Sequence, residues 1–163
     1  MIDVALTIDA DAELKKACTC LPICDGVLVV ALPMGHRLAK RDRLRFEDLE
    51  SIQMLVPDAS FWPWTQCFLK DRMSPDQFAR TRTMSDLDTL FYYVESGQGA
   101  AVVTSHNMQP YEGRVEFRPL EEPELPHFPV SALWLKETES HANASKGLRW
   151  IGQAVSYART VVQ

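Results

Sequence analysis

The stretch Ser85-Asp86-Leu87-Asp88-Thr89-Leu90-Phe91-Tyr92-Tyr93-Val94-Glu95-Ser96-Gly97-Gln98-Gly99-Ala100-Ala101-Val102-Val103 changes character part-way. Leu87, Leu90, Phe91 and Val94 recur three and four apart, the spacing of one helix face. Ser85 stands before them in the place of an N-cap. Asp86 and Asp88 put carboxylates in the first turn, where the helix dipole favours them. Gly97-Gln98-Gly99 stops the helix. Ala100–Val103 is then a short apolar run and reads as a strand. A helix turning tightly into a buried strand is the building unit of an α/β layer.

The neighbouring segments extend that pattern in both directions. Gly26–Leu32 is a run of Val, Leu and Ala, read as a strand buried on both faces and ended by Pro33-Met34-Gly35. Ile52–Val56 is a strand stopped by Pro57. From Ser60 the sequence predicts a helix, with Ser60 as cap, Pro63 in the first turn and Trp64, Phe68 and Leu69 at helical spacing. Met73-Ser74-Pro75 breaks it, and Phe78–Met84 reads as a strand. Val115–Leu120 and Pro129–Leu135 are further strands. Asn143 or Ser145 caps a last helix with Leu148, Ile151, Val155 and Ala158 along one stripe. At the other end Ile2–Ile8 reads as a strand, and residues 9–24 as a connection. Strand and helix alternate through the middle of the chain, so the class is α/β.

Composition narrows the function. A net charge of −5 argues against this chain gripping nucleic acid, which needs a basic face. The one basic cluster, Arg37, Lys40, Arg41, Arg43 and Arg45, runs straight into Glu47, Asp48 and Glu50 and neutralises itself. Every apolar run falls short of the ~18 residues that suggest a membrane span. The first residues are acidic and have no basic n-region, so a signal peptide is not expected and the expected location is cytoplasmic.

Cys18, Cys20 and Cys24 are spaced by one and three residues, and Cys67 stands apart. Zinc sites pair cysteines at two to four intervening residues with a second pair downstream. The expectation is reduced thiols and no metal, with redox sensing as the alternative. His36, beside Arg37, is expected to pack or hydrogen-bond in a loop. No nucleophile elbow, phosphate loop or zinc-protease motif is present, so neither an enzyme nor a cofactor is expected.

Three pieces in order carry a resemblance. They are Ile2-Asp3-Val4-Ala5-Leu6; Val29-Val30-Ala31-Leu32-Pro33 with His36, Leu38, Ala39 and then Asp48-Leu49; and Ser85-Asp86 leading through Val94, Gly97 and Gly99 to Val103. The series resembles the effector-binding domain of LysR-type transcriptional regulators over about residues 2–155. Arg37 departs from it, standing where that family usually has proline. The resemblance implies a periplasmic-binding-protein-like (type II) fold with two α/β lobes, mixed sheets and a small molecule held between them. It implies that residues 1–52 plus 132–163 form a first lobe, incomplete on its N-terminal side. Residues 56–128 would form the second lobe, with crossovers near Ile52–Val56 and Pro129–Leu133. No part of the chain resembles the family's DNA-binding domain.

The function so implied is sensing of a small organic effector, anionic or aromatic. The signal would pass through interlobe and oligomer rearrangement, with DNA reached only through a domain absent from this sequence. A stand-alone solute-binding protein of the same fold, or a truncated product without a working site, is the alternative. Exposed strand edges favour a homo-oligomer, and no membrane partner is expected. The candidate effector contacts are Ser60, Phe61 and Trp62 at one strand-to-helix junction, Met84 and Ser85 at a second, and Thr104 and Ser105 at the end of the following strand.

Overall fold

The computed structural model describes residues 4–8, 12–60 and 62–136. In chain order the elements are β1 (Ala5–Ile8), α1 (Ala12–Ala17), β2 (Cys18–Gly26), β3 (Leu28–Pro33), β4 (Met54–Pro57), α2 (Pro63–Arg72), α3 (Pro75–Ala79), β5 (Arg82–Met84), α4 (Leu87–Glu95), β6 (Ala100–Thr104), β7 (Val115–Pro119) and β8 (Phe128–Leu135). Short 3-10 turns at Arg37–Lys40, Phe46–Leu49, Ser105–Asn107 and Gln109–Tyr111 link them. The final helix expected from about residue 143 lies outside the described residues.

The chain forms two compact units, residues 1–26 with 127–163, and residues 27–126. The first unit holds an antiparallel sheet of order β1-β8-β2. Residues 9–24, expected to be a connection, instead supply α1 and most of β2. The reason is long-range: β2 pairs with β8 from Cys18 opposite Leu135 to Gly26 opposite Phe128. That ladder satisfies backbone groups that the polar, cysteine-rich segment could not satisfy locally. The register shifts between Pro22 and Cys24, which leaves Ile23 as an extra residue. Cys18 and Cys20 therefore share a face with Leu133, while Cys24, opposite Val130, lies on the other face. The three thiols do not converge, and no metal-binding group is present among the described residues.

The second unit holds a mixed sheet of order β5-β4-β6-β3-β7. β4 runs parallel to β5 and β6, whereas β3 runs antiparallel to β6 and β7. Leu28, Val30 and Leu32 of β3 are buried, and so are the intervening Val29 and Ala31, as a continuous apolar run requires. On one sheet face α4 packs Leu90, Phe91 and Val94 against Val29, Ala31, Leu55, Ala101 and Val103. α4 ends as its glycines dictate. Gly97 takes φ +78°, its N–H bonds Val94 O, and the Gln98 N–H bonds Tyr93 O at 3.0 Å. These are the paired bonds of a Schellman stop.

The expected lobe boundaries need correction. β3 belongs to the second unit because it is hydrogen-bonded between β6 and β7, so residues 27–52 are not part of the first. Ile52–Val56 is not a crossover: Met54–Pro57 is β4, inside the second sheet. Pro129–Leu133 lies within β8, in the first unit. The chain passes between units at Gly26–Val27 and at Pro126–His127.

Phe78–Met84 also differs from expectation. Ser74 Oγ accepts from Gln77 N at 3.2 Å and Pro75 opens the turn, so α3 forms there and only Arg82–Met84 is strand. His36 takes the structural part expected of it: Nδ1 accepts from Leu38 N at 3.3 Å and caps the Arg37–Lys40 turn. The basic segment is paired as well, Arg41 with Asp48 and Arg43 with Glu121.

Candidate functional site

In parallel strands with helices following them, ligands gather outside the carboxyl ends. Pro57 of β4 lies opposite Met84 of β5, and β6 ends alongside them at Thr104. All three junctions singled out in the sequence therefore lie at one edge of the second unit's sheet. A cavity of about 250 Å³ opens there, lined by Pro57, Trp62, Asp86 and Leu87. Of the candidate contacts, only Trp62 is among these walls. Phe61 lies outside the described residues.

The remaining candidates have other partners. The Asp58 N–H bonds Met84 O at 2.9 Å and ties β4 to β5, while the Met84 side chain is buried in the α4 core. Ser60 is exposed and does not cap α2, because Trp62 holds that position. Instead the Ser60 N–H donates to Asp58 Oδ1 at 2.9 Å. Hydrogen bonds from the Ser60 side chain, and then from its backbone, hold the Asp58 carboxyl below its usual range. Thr104 is buried, and its Oγ1 accepts from Asn107 Nδ2 at 2.7 Å. Ser105 Oγ accepts from Val27 N at 3.2 Å, and its own N–H donates to Val27 O at 2.8 Å. Both hydroxyls thus fasten the start of β3 and the turn after β6.

Ser85 is not the cap of α4. That residue is Asp86, whose Oδ1 accepts from Thr89 N at 2.7 Å. Its Oδ2 accepts from Ser85 Oγ at 2.7 Å and from Thr89 Oγ1 at 2.9 Å. The Thr89 N–H, then the Ser85 and Thr89 hydroxyls, hold the Asp86 carboxyl below its usual range. It stands ionised at the helix start. Sequence reasoning did not single out Asp86, Pro57 and Leu87, which line this cavity. The available signal was a threonine three residues after an aspartate, the spacing at which a cap meets the N3 residue.

A second cavity, about 270 Å³, sits at the opening end of β4, with Glu50, Gln53, Gln77 and Arg80 among its walls. Its amides are already engaged: Gln53 Nε2 donates to Arg80 O at 2.7 Å, and Gln77 Nε2 to Leu49 O at 3.1 Å.

The fold has counterparts among known proteins. The family model for the LysR substrate binding domain matches residues 1–156. The chain belongs to the LysR substrate-binding domain family. Its fold is the periplasmic-binding-protein-like type II fold of LysR effector-binding domains. The reduced form of the OxyR regulatory domain from Pseudomonas aeruginosa superposes with a TM-score of 0.70 at 18% identity, covering 94% of this chain and 72% of that one. The regulatory domain of MetR from N. meningitidis gives a TM-score of 0.64 at 16% identity, with 96% and 73% covered. A full-length BenM variant gives 0.73 at 18% identity, and there the match covers 96% of this chain and 52% of BenM. This LysR-family chain thus spans about half of that full-length regulator. No curated protein sequence matches it.

Proposed function

We propose that this chain senses a small organic effector on behalf of a LysR-type transcriptional regulator. The two units act as the lobes of the sensing domain. Effector binding shifts the population of its conformations, and a homo-oligomer in the cytoplasm carries that shift to a DNA-reading part. The observation that carries the reading is the cavity at the carboxyl ends of β4 and β5, walled by Trp62 and Leu87. Its volume suits a ligand of about one ring. LysR-family membership supports a regulatory rather than an enzymatic role.

The test is a thermal-shift screen of the 163-residue chain against neutral, cationic and anionic aromatic compounds. A ligand at a hundred times its dissociation constant stabilises by about 2.7 kcal/mol, several degrees of melting temperature for a chain of this size. The expected result is a shift that Trp62→Ala removes while the melt stays cooperative. A shift that survives Trp62→Ala would take the site away from this cavity. The absence of a shift from every compound would count against sensing by the chain.

A further inference from the structure

We propose that the cavity between Trp62 and Asp86 selects a cation carried on an aromatic or apolar body, and rejects carboxylates of the same size. This rests on the sensing reading above and sets the chemical class of its effector.

Among the described walls, Pro57, Trp62 and Leu87 are apolar, and Asp86 is a carboxylate. A helix start usually welcomes a ligand anion through its free N–H groups. Here an internal anion already holds that place. Thr89 N, Thr89 Oγ1 and Ser85 Oγ all donate to Asp86, so its charge is fixed in position. Asp58, the residue after β4, is a further carboxylate near this edge, held by Ser60, and is not one of the walls described. No lysine, arginine or histidine is among the described walls. Arg82, on the strand leading to this edge, is directed elsewhere: its guanidinium lies 4.9 Å from the Tyr93 ring centroid and donates to Gln98 Oε1 at 3.5 Å.

A carboxylate entering this cavity would meet like charge with no counter-cation on the walls described. An ammonium would meet an opposite charge and the indole of Trp62, whose ring attracts cations.

The experiment measures binding of three matched probes to the 163-residue chain by calorimetry: 2-phenylethylammonium, 2-phenylethanol and 3-phenylpropanoate. The ammonium is expected to bind about tenfold tighter than the alcohol, within the range of a cation over an aromatic ring beside a carboxylate, and the carboxylate weakest of all. Asp86→Asn keeps a competent helix cap and removes the charge. It is expected to bring ammonium and alcohol to equal affinity, while Trp62→Ala weakens all three. Carboxylate binding as tight as ammonium, but still lost in Trp62→Ala, overturns the charge selection and leaves the sensing site standing. An ammonium preference that persists in Asp86→Asn overturns the role of Asp86. Binding of none of the probes at millimolar concentration overturns this cavity as the effector site.

Discussion

Tyr111 donates its phenolic hydrogen to Asp88 Oδ1, and so fastens the turn after β6 to the first turn of α4. The same ring stacks on Phe91 at a centroid distance of 3.7 Å, in the core that α4 shares with the sheet. Arg114, paired with Glu95 of α4, lies 5.8 Å from the Tyr111 centroid. The helix that opens at the candidate cavity is thus held along its length by one hydrogen bond, one aromatic stack and one ion pair.

Burial, and then the bond to Asp88, push the Tyr111 hydroxyl from its ordinary value of 10.0 up to about 12. The neutral phenol is the form that the fold stabilises. Its contribution is complete below pH 10 and is lost as the pH rises towards 12. An ultraviolet titration should therefore show one tyrosine ionising late. In Tyr111→Phe that late step should vanish, with a loss of about 1 kcal/mol in chemical denaturation. A late step that remains in Tyr111→Phe would refute the assignment.

Asp86 titrates in the opposite sense. Its carboxyl lies below its ordinary value of 3.8 when folded, so its contribution is present above that pH and fades as the pH falls below it. Asp86→Ala should melt earlier than the parent at pH 7. The difference should narrow once the pH is under 3.8. A gap of equal size at both pH values would mean that the aspartate acts by packing and not by charge.

The two glycines after α4 should fail for different reasons. Gly97→Ala forces a side chain into the left-handed region and should cost about 1–2 kcal/mol. Gly99 has no such dihedral. A Cβ there would lie 2.5 Å from the Gln53 carbonyl oxygen and 2.9 Å from Leu55 Cγ. That oxygen accepts from Ala100 N and belongs to the β4–β6 junction, so Gly99→Ala should cost about 1–3 kcal/mol through backbone displacement. Denaturant midpoints of the two variants, with Gly99→Ser as a third, would check this. A neutral Gly99→Ala would contradict the close approach.

Thiol reactivity should follow the register of β2. Cys24 and Cys67 are exposed, Cys20 is half-buried and Cys18 is buried. Labelling with an aromatic disulfide under native conditions should modify Cys24 and Cys67 first and Cys18 last. Fast joint modification of Cys18 and Cys24 would place them on one face and refute the bulge between Pro22 and Cys24.

Much of the fold was legible because its signals are local. The apolar face of α4 repeats within the helix itself, Gly97 carries its own stop, and β3 is apolar at every position because both of its faces are covered. Those segments, in their order, determined the α/β class and the resemblance to LysR effector domains. Three features were decided only by tertiary structure. β2 became a strand because Cys18–Gly26 found β8 at the far end of the described chain, a pairing with no trace in its own composition. The unit boundary moved to Val27 because β3 is gripped by β6 and β7, which come more than sixty residues later. The cap of α4 fell on Asp86 and not on the equally competent Ser85, because β5 continues through Met84, bonded to Asp58, and so fixes the residue at which the chain turns. That shift of one residue placed a carboxylate in the cavity wall. Periodicity and caps are fixed by neighbours in sequence; pairing, boundaries and the charge of a site depend on which distant segments meet.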